Sequence, residues 1–263
     1  MSVHRALLVA GEMSGDVSDA VCRAIAELLR GDDDEASHVS FEVDEIHLSL
    51  RVFDRANAVG LRLWPASEFF AAWVVADPAR WRNKTLVELG AGLGLCGLAV
   101  ASFAAPRRVC LTDSDPVVVR NLAYNAQLNG AKADVADLDW TSFADEDSEL
   151  LKQSDLSLVA ADCVYDPDAC PALAAVLRRF ARADARIWLV NAIRDRDTWA
   201  SCLDTFTRHG LALLDDVTLT ASTAIDAAPR TLLAPSLWER HKGAALRGDL
   251  RLVEVGLRSA PFQ

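Results

Sequence analysis

Three clusters of residues could do chemistry, and each follows an apolar run. Residues 86–94, L-V-E-L-G-A-G-L-G, join a carboxylate, Glu88, to a loop in which Gly92, Gly94 and Gly97 spell G-x-G-x-x-G. Glycines let the backbone approach a ligand closely, and the amides at the start of the next helix attract anions. About twenty residues on, T-D-S-D-P sets Asp113 and Asp115 before Pro116. Asp-Pro reads as an N-cap and an N1 proline, which commits Asp115 to a helix and leaves Asp113 to accept from ribose hydroxyls. The third cluster is A-D-C-V-Y, with Asp162 three positions before Tyr165.

The loop fits two ligands. A dinucleotide would set its pyrophosphate on the loop amides, where Glu88 would repel each phosphate by about 3 kcal/mol at an effective dielectric near 20. S-adenosylmethionine has no phosphate and carries a sulfonium and an ammonium, so a nearby acid is tolerated or favourable. Glu88, Gly90, Ala91 and Gly92 therefore form a candidate cofactor loop for S-adenosylmethionine. The bland alternative for Glu88 is a hydrogen bond that stabilises the loop. Asp113 does not separate the two ligands, since both carry the ribose.

Strict alternation of apolar strands and amphipathic helices positions these clusters. T-L-V-E-L-G, R-V-C-L-T-D, D-V-A-D-L-D-W, L-S-L-V-A-A-D, R-I-W-L-V-N-A-I, L-A-L-L-D-D-V-T-L and L-R-L-V-E-V-G-L-R read as strands, with a helix after the first, second, fourth and fifth. The last two lack an intervening helix, which predicts a final antiparallel pair. The expected fold is α/β, a doubly wound, mostly parallel seven-stranded sheet with helices on both faces and an antiparallel final strand. Its ligand belongs at the carboxyl ends of the strands. Residues 1–40 read as an N-terminal extension, a helix followed by an acidic linker. Residues 41–263 read as one domain, in which 41–80 are a strand or hairpin and a helix, and 221–248 are an insertion.

The 263 residues, 51% of them hydrophobic, suffice for a sizeable core. The six cysteines (22, 96, 110, 163, 170, 202) lie mostly in apolar runs without C-x-x-C pairs or accompanying histidines. They read as buried thiols in a reducing compartment, with no metal site and no disulfide framework. No run reaches the roughly 18 residues of a membrane span, so neither a leader nor a membrane partner is expected and the location reads as cytoplasmic. A net charge of −11 disfavours nucleic acid and suits a basic partner surface.

Five blocks, G-L-R-L-W-P-A-S (60–67), V-E-L-G-A-G-L-G-L (87–95), L-T-D (111–113), D-L-D-W (137–140) and A-A-D-C-V-Y (160–165), resemble in order and spacing the seven-strand, class I methyltransferases called methyltransferase family 16. Members characterised in that family are mostly protein-lysine N-methyltransferases with a Rossmann-like fold. The resemblance covers about residues 45–258. It implies Trp64 against the cofactor's methionine end, Gly90, Ala91 and Gly92 in the loop, Asp113 on the ribose, Trp140 beside the adenine and Ala161 touching the adenosine. An aromatic face beside adenine contributes roughly 1 to 3 kcal/mol of stacking. Asp162 and Tyr165 match the family's Asp-x-x-Tyr signature and are the catalytic candidates.

A lysine arrives as an ammonium of pKa about 10.4 and cannot attack a methyl group until deprotonated. An acid that attracts the cation also stabilises its charge, so Asp162 is expected to orient the amine and Tyr165 to wall its stem. Methyltransferases acting on adenine or glutamine amino groups carry two prolines where this chain has Cys163 and Val164, so their rigid turn is expected to be absent. The segments 164–180 and 191–206 resemble a branch that methylates a lysine of translation elongation factor 2. The expected partner is a protein presenting a lysine, a translation factor or a chaperone, with the oligomeric state open. The alternatives are a non-catalytic S-adenosylmethionine-binding interaction protein, or a methyltransferase acting on RNA or a small molecule.

Overall fold

The computed structural model describes residues 36–43, 46–53, 59–143, 149–219 and 250–258. The expected helix and acidic linker (to residue 35) and the insertion of 221–248 lie outside the described residues.

A hairpin of β1 (Ala36–Val43) and β2 (Ile46–Phe53) precedes α1 (Pro65–Ala76). Alternation then begins: β3 (Thr85–Leu89), α2 (Leu95–Phe103), β4 (Arg108–Asp113), α3 (Pro116–Leu128) and β5 (Asp134–Asp137). It continues as β6 (Leu156–Ala161), α4 (Cys170–Arg182), β7 (Arg186–Ala192), α5 (Arg196–Arg208), β8 (Leu211–Leu219) and β9 (Leu250–Leu257). The seven-stranded sheet has the order β5-β4-β3-β6-β7-β9-β8. Pairing is parallel from β5 to β7, while β9 runs antiparallel to both β7 and β8. This is the expected doubly wound sheet, with the order reversing between β3 and β6.

Side chains of successive strand residues point to opposite faces, and the core divides accordingly. Leu86, Val159, Trp188 and Val190 pack with α1 and α2 on one face. Val87, Leu89, Leu158, Ala160, Ile187 and Leu189 pack with α4 and α5 on the other. Both faces are covered, so β3 is buried at every position from Thr85 to Leu89. Its carboxyl end opens between the two helix layers, where the glycine loop begins.

The hairpin is attached through an asparagine ladder. Asn129 Oδ1 accepts from the Ser49 amide at 2.9 Å and its Nδ2 donates to the Ser49 carbonyl at 2.8 Å. One turn earlier, Asn125 Oδ1 accepts from the Arg51 amide at 2.8 Å, and Asn121 donates to the Arg51 carbonyl at 3.0 Å. Four helical residues rise about 6 Å and two strand residues about 6.7 Å, so the side-chain amides of α3 keep step with β2. They replace the strand neighbour that this edge lacks.

Several expectations need correction. β1 starts at Ala36, inside the stretch read as linker, and β5 ends at Asp137 rather than running on to Trp140. Cys170 and Cys202 are joined by a disulfide between α4 and α5. Contact between the two helices sets the cysteine Cα atoms 5.6 Å apart, a distance a disulfide spans. Cys96, Cys110 and Cys163 are free and buried, as expected.

Candidate active site

A cleft of about 680 Å³ opens at the carboxyl ends of β3, β4 and β6. All ten residues singled out in the sequence line it: Trp64, Glu88, Gly90, Ala91, Gly92, Asp113, Trp140, Ala161, Asp162 and Tyr165.

Gly90 and Gly92 both have φ +55°, a left-handed conformation that a side chain would strain. A Cβ on Gly90 would also stand 3.0 Å from Cys163 Sγ and 3.2 Å from the Trp140 ring. Three segments, the β3 end, the loop carrying Trp140 and the turn after β6, converge on that one glycine. The turn is closed from the second strand, where Asp113 Oδ2 accepts from the Gly92 amide at 3.1 Å. Its Oδ1 accepts from the Ser114 and Asp115 amides. Burial nevertheless raises the Asp113 carboxyl above the usual range. Asp115 caps α3 by accepting from Val117 at 2.7 Å, the cap expected from Asp-Pro.

Glu88 is 1% exposed, and its Oε2 accepts from the Gly97 amide at 2.8 Å, in the first turn of α2. The carboxyl thus ties the loop to its helix. Burial pushes it up to about 7, against the lowering effect of that amide.

The turn after β6 is bound at three points. Asp162 adopts φ +55°, tolerated better by aspartate than by most residues but still costing about 1 kcal/mol. Its amide donates to the Val190 carbonyl at 2.7 Å, and its Oδ1 accepts from the Ala192 amide at 2.9 Å. Buried Asn191 accepts from the Val164 amide at 2.9 Å and donates to the Val164 carbonyl at 3.0 Å. With Cys163 and Val164 in place of prolines, the turn is held by the Asn191 side-chain amide from β7.

Asp162 is also not an open counter-charge. Arg194 binds it at both oxygens, Nη1 to Oδ1 at 3.2 Å and Nη2 to Oδ2 at 2.9 Å. The Arg194 guanidinium lies 5.0 Å above the Trp64 ring, whose Nε1 donates to the Val59 carbonyl. Tyr165 stands 57% exposed at the cleft mouth. Asn191 and Arg194 were missed in the sequence. Their one signal was V-N-A-I-R ending the strand that neighbours A-A-D, two segments about thirty residues apart.

The cleft lining holds six acids, Glu88, Asp113, Asp115, Asp139, Asp162 and Asp168, against one cation, Arg62. A pyrophosphate would meet repulsion there, whereas a ligand carrying positive charge would not.

Among known proteins, protein-lysine N-methyltransferase EEF2KMT of Homo sapiens is 37% identical over 138 residues, 48% of this chain and 41% of that enzyme. The Mus musculus enzyme of the same name is 27% identical over 214 residues, 73% of this chain and 63% of its own length. The chain therefore spans less than two thirds of these relatives. In fold it is similar to a protein from Streptococcus mutans assigned as a SAM-dependent methyltransferase, with a TM-score of 0.52 and 8% identity over 84% of this chain and 55% of the other. The profile of methyltransferase family 16, described as lysine methyltransferase, matches residues 43–203, a span that carries the loop, Asp113, the turn at Asp162 and Arg194. The chain belongs to the lysine methyltransferase family.

Proposed function

We propose that the protein transfers a methyl group from S-adenosylmethionine to the side-chain amine of a lysine in a protein. The observation that carries this reading is one acid-lined cleft in which the glycine loop and Asp113 face the turn bearing Asp162 and Tyr165. The cleft fits the cofactor: the loop has left-handed glycines for close approach, and the lining is acidic rather than basic. When bound, the cofactor supplies an electrophilic methyl on a sulfonium.

The residues of this chain do the rest. Gly90, Ala91 and Gly92 receive the amino-acid tail and ribose, Asp113 accepts from the ribose hydroxyls, and Trp140 and Ala161 flank the adenosine. Glu88 anchors the loop through Gly97. Trp64 bounds the methionine end. Asp162 accepts a hydrogen bond from the acceptor amine and aims its lone pair, while the Tyr165 ring walls the lysine stem. Most of the acceleration comes from in-line proximity of two reactants held in one cleft. The partner is a protein with an exposed lysine, of the kind represented by a translation factor or chaperone, and the location is cytoplasmic.

The test is to incubate the protein with tritiated S-adenosylmethionine and a lysate from cells lacking it. A labelled protein whose label maps to lysine supports the reading. Label in RNA or a small molecule overturns the substrate class, and no label at all favours a binding protein without catalysis.

A further inference from the structure

The acid at the acceptor end already has a resident cation. Asp162 accepts from the Ala192 amide and from two Arg194 nitrogens. A carboxylate offers about four acceptor positions, so one on Oδ2 is left for a further donor. The Asp162 side chain is 5% exposed and that of Arg194 45%, so the guanidinium caps the acid and reaches the rim. A cation–π contact with Trp64, 5.0 Å from the guanidinium carbon to the ring centroid, helps hold Arg194 in place.

A bare carboxylate beside a lysine would hold the proton that must leave before methyl transfer. A guanidinium stays charged at any working pH. Paired with it, Asp162 keeps a hydrogen-bond acceptor but presents no net negative charge. We propose that Arg194 is a positioning residue that neutralises Asp162, so that the acceptor lysine enters the site as a free amine. This inference rests on the lysine methyl-transfer reading above.

Other titratable groups line the same cleft: Glu88, raised to about 7, Asp113, Asp115, Asp139 and Asp168 in the wall, Arg62 before α1, and Cys163 and Tyr165 on the turn. Asp195, next to Arg194, is engaged in capping α5 through the Asp197 amide and the Thr198 hydroxyl. All of these are common to the variants below, so differences between variants read out Arg194.

The experiment follows label transfer from tritiated S-adenosylmethionine into the lysate protein that the wild-type enzyme labels, between about pH 6.5 and about pH 10, the range below the free lysine pKa. The variants are R194Q, R194K and the double variant D162N/R194Q. A full charge about 4 to 6 Å away at an effective dielectric near 20 moves a titration by about two to three pH units. R194Q is expected to shift the rising limb of kcat upward by that amount. Its turnover should fall about tenfold or more at neutral pH and recover in alkali, with KM unchanged or lower. R194K should keep the limb in place, and D162N/R194Q, with both charges gone, should bring it back toward the wild type. Calorimetry with S-adenosylhomocysteine should give affinities within about twofold for all forms, because Arg194 is not among the described residues lining the cleft. A loss equal at every pH means a merely structural arginine and overturns the proposal. So does a gain at neutral pH, which would mean a guanidinium that the lysine must displace. If the wild-type enzyme labels no protein, the methyl-transfer reading itself fails, an outcome visible before any variant is compared.

Discussion

Asn191 brackets Val164, accepting from its amide at 2.9 Å and donating to its carbonyl at 3.0 Å, although the two residues are 27 positions apart. One side chain on β7 thereby fixes the backbone between Asp162 and Tyr165. Asn191→Ala should leave both Val164 groups without partners in a buried setting, a loss of about 2 to 3 kcal/mol. Thermal unfolding should register that loss, and turnover should fall more than cofactor affinity because the turn belongs to the acceptor side. A variant with normal turnover would show that the turn needs no such clamp.

Glu88 makes stability depend on pH. Its carboxyl titrates near 7 in the folded protein against 4.5 unfolded, so between those values the folded state holds the extra proton. Stability contributed by this group is therefore full below about pH 4.5 and is lost as pH rises through 7, by about 3 kcal/mol in all. Glu88→Gln keeps an oxygen for the Gly97 amide and removes the titration. Denaturant unfolding of the ligand-free protein should show a fall in stability from pH 5 to 7 that is flatter in the variant. Identical slopes would remove Glu88 from the account.

The Cys170–Cys202 disulfide closes a loop across α4 and α5, with a sequence separation of 32. In the chain-entropy account a loop of that size stabilises by roughly 3 to 4 kcal/mol. Cys202→Ser, or reduction of the wild type, should lower the melting temperature accordingly, and reduction should not affect the variant further. Equal melting temperatures in oxidised and reduced protein would show that the link contributes nothing.

Asp113 shapes the loop by accepting from the Gly92, Ser114 and Asp115 amides, and the proposed function gives it the cofactor's ribose to hold as well. Asp113→Ala should reduce S-adenosylmethionine affinity by tenfold or more, about 1.4 kcal/mol or above, with the chain still folded. NAD should show no binding to either form. Calorimetry that finds NAD bound, or the variant undiminished, reverses the assignment.

What was legible in the sequence is local. Gly90, Gly92, Asp113 and Asp115 sit at strand ends and helix starts, where a few residues of spacing fix which side chain caps a helix and which faces the ligand. The partners of Asp162 are not local. Val190 and Ala192 belong to the next strand and Arg194 follows its end by two residues, and only the β6–β7 register, with Ala161 opposite Val190, brings them alongside. The asparagine ladder was hidden for the same reason. Asn121, Asn125 and Asn129 repeat every four residues, but their use depends on a strand about seventy to eighty residues away. Cysteine counting missed the disulfide because the pairing depends on two helices meeting rather than on spacing.

Asp162 and Tyr165 are the sharpest test of the proposed chemistry. The left-handed backbone of Asp162, at φ +55°, offers a substitution that removes the carboxylate without strain. Asp162→Gly should fold well, since glycine prefers that conformation, although Arg194 and the Ala192 amide lose their acceptor. Turnover should fall about 100-fold or more, because a charge-assisted hydrogen bond contributes roughly 1.5 to 3 kcal/mol and a misplaced amine adds to the loss. S-adenosylhomocysteine affinity should change little, the cofactor contacts being assigned to the loop, Asp113 and Trp140. Tyr165 is exposed at the mouth, so Tyr165→Phe should be mild if the ring serves as a wall, and Tyr165→Ala should raise KM for the protein substrate. A fully active Asp162→Gly enzyme would move the acceptor site away from the end of β6.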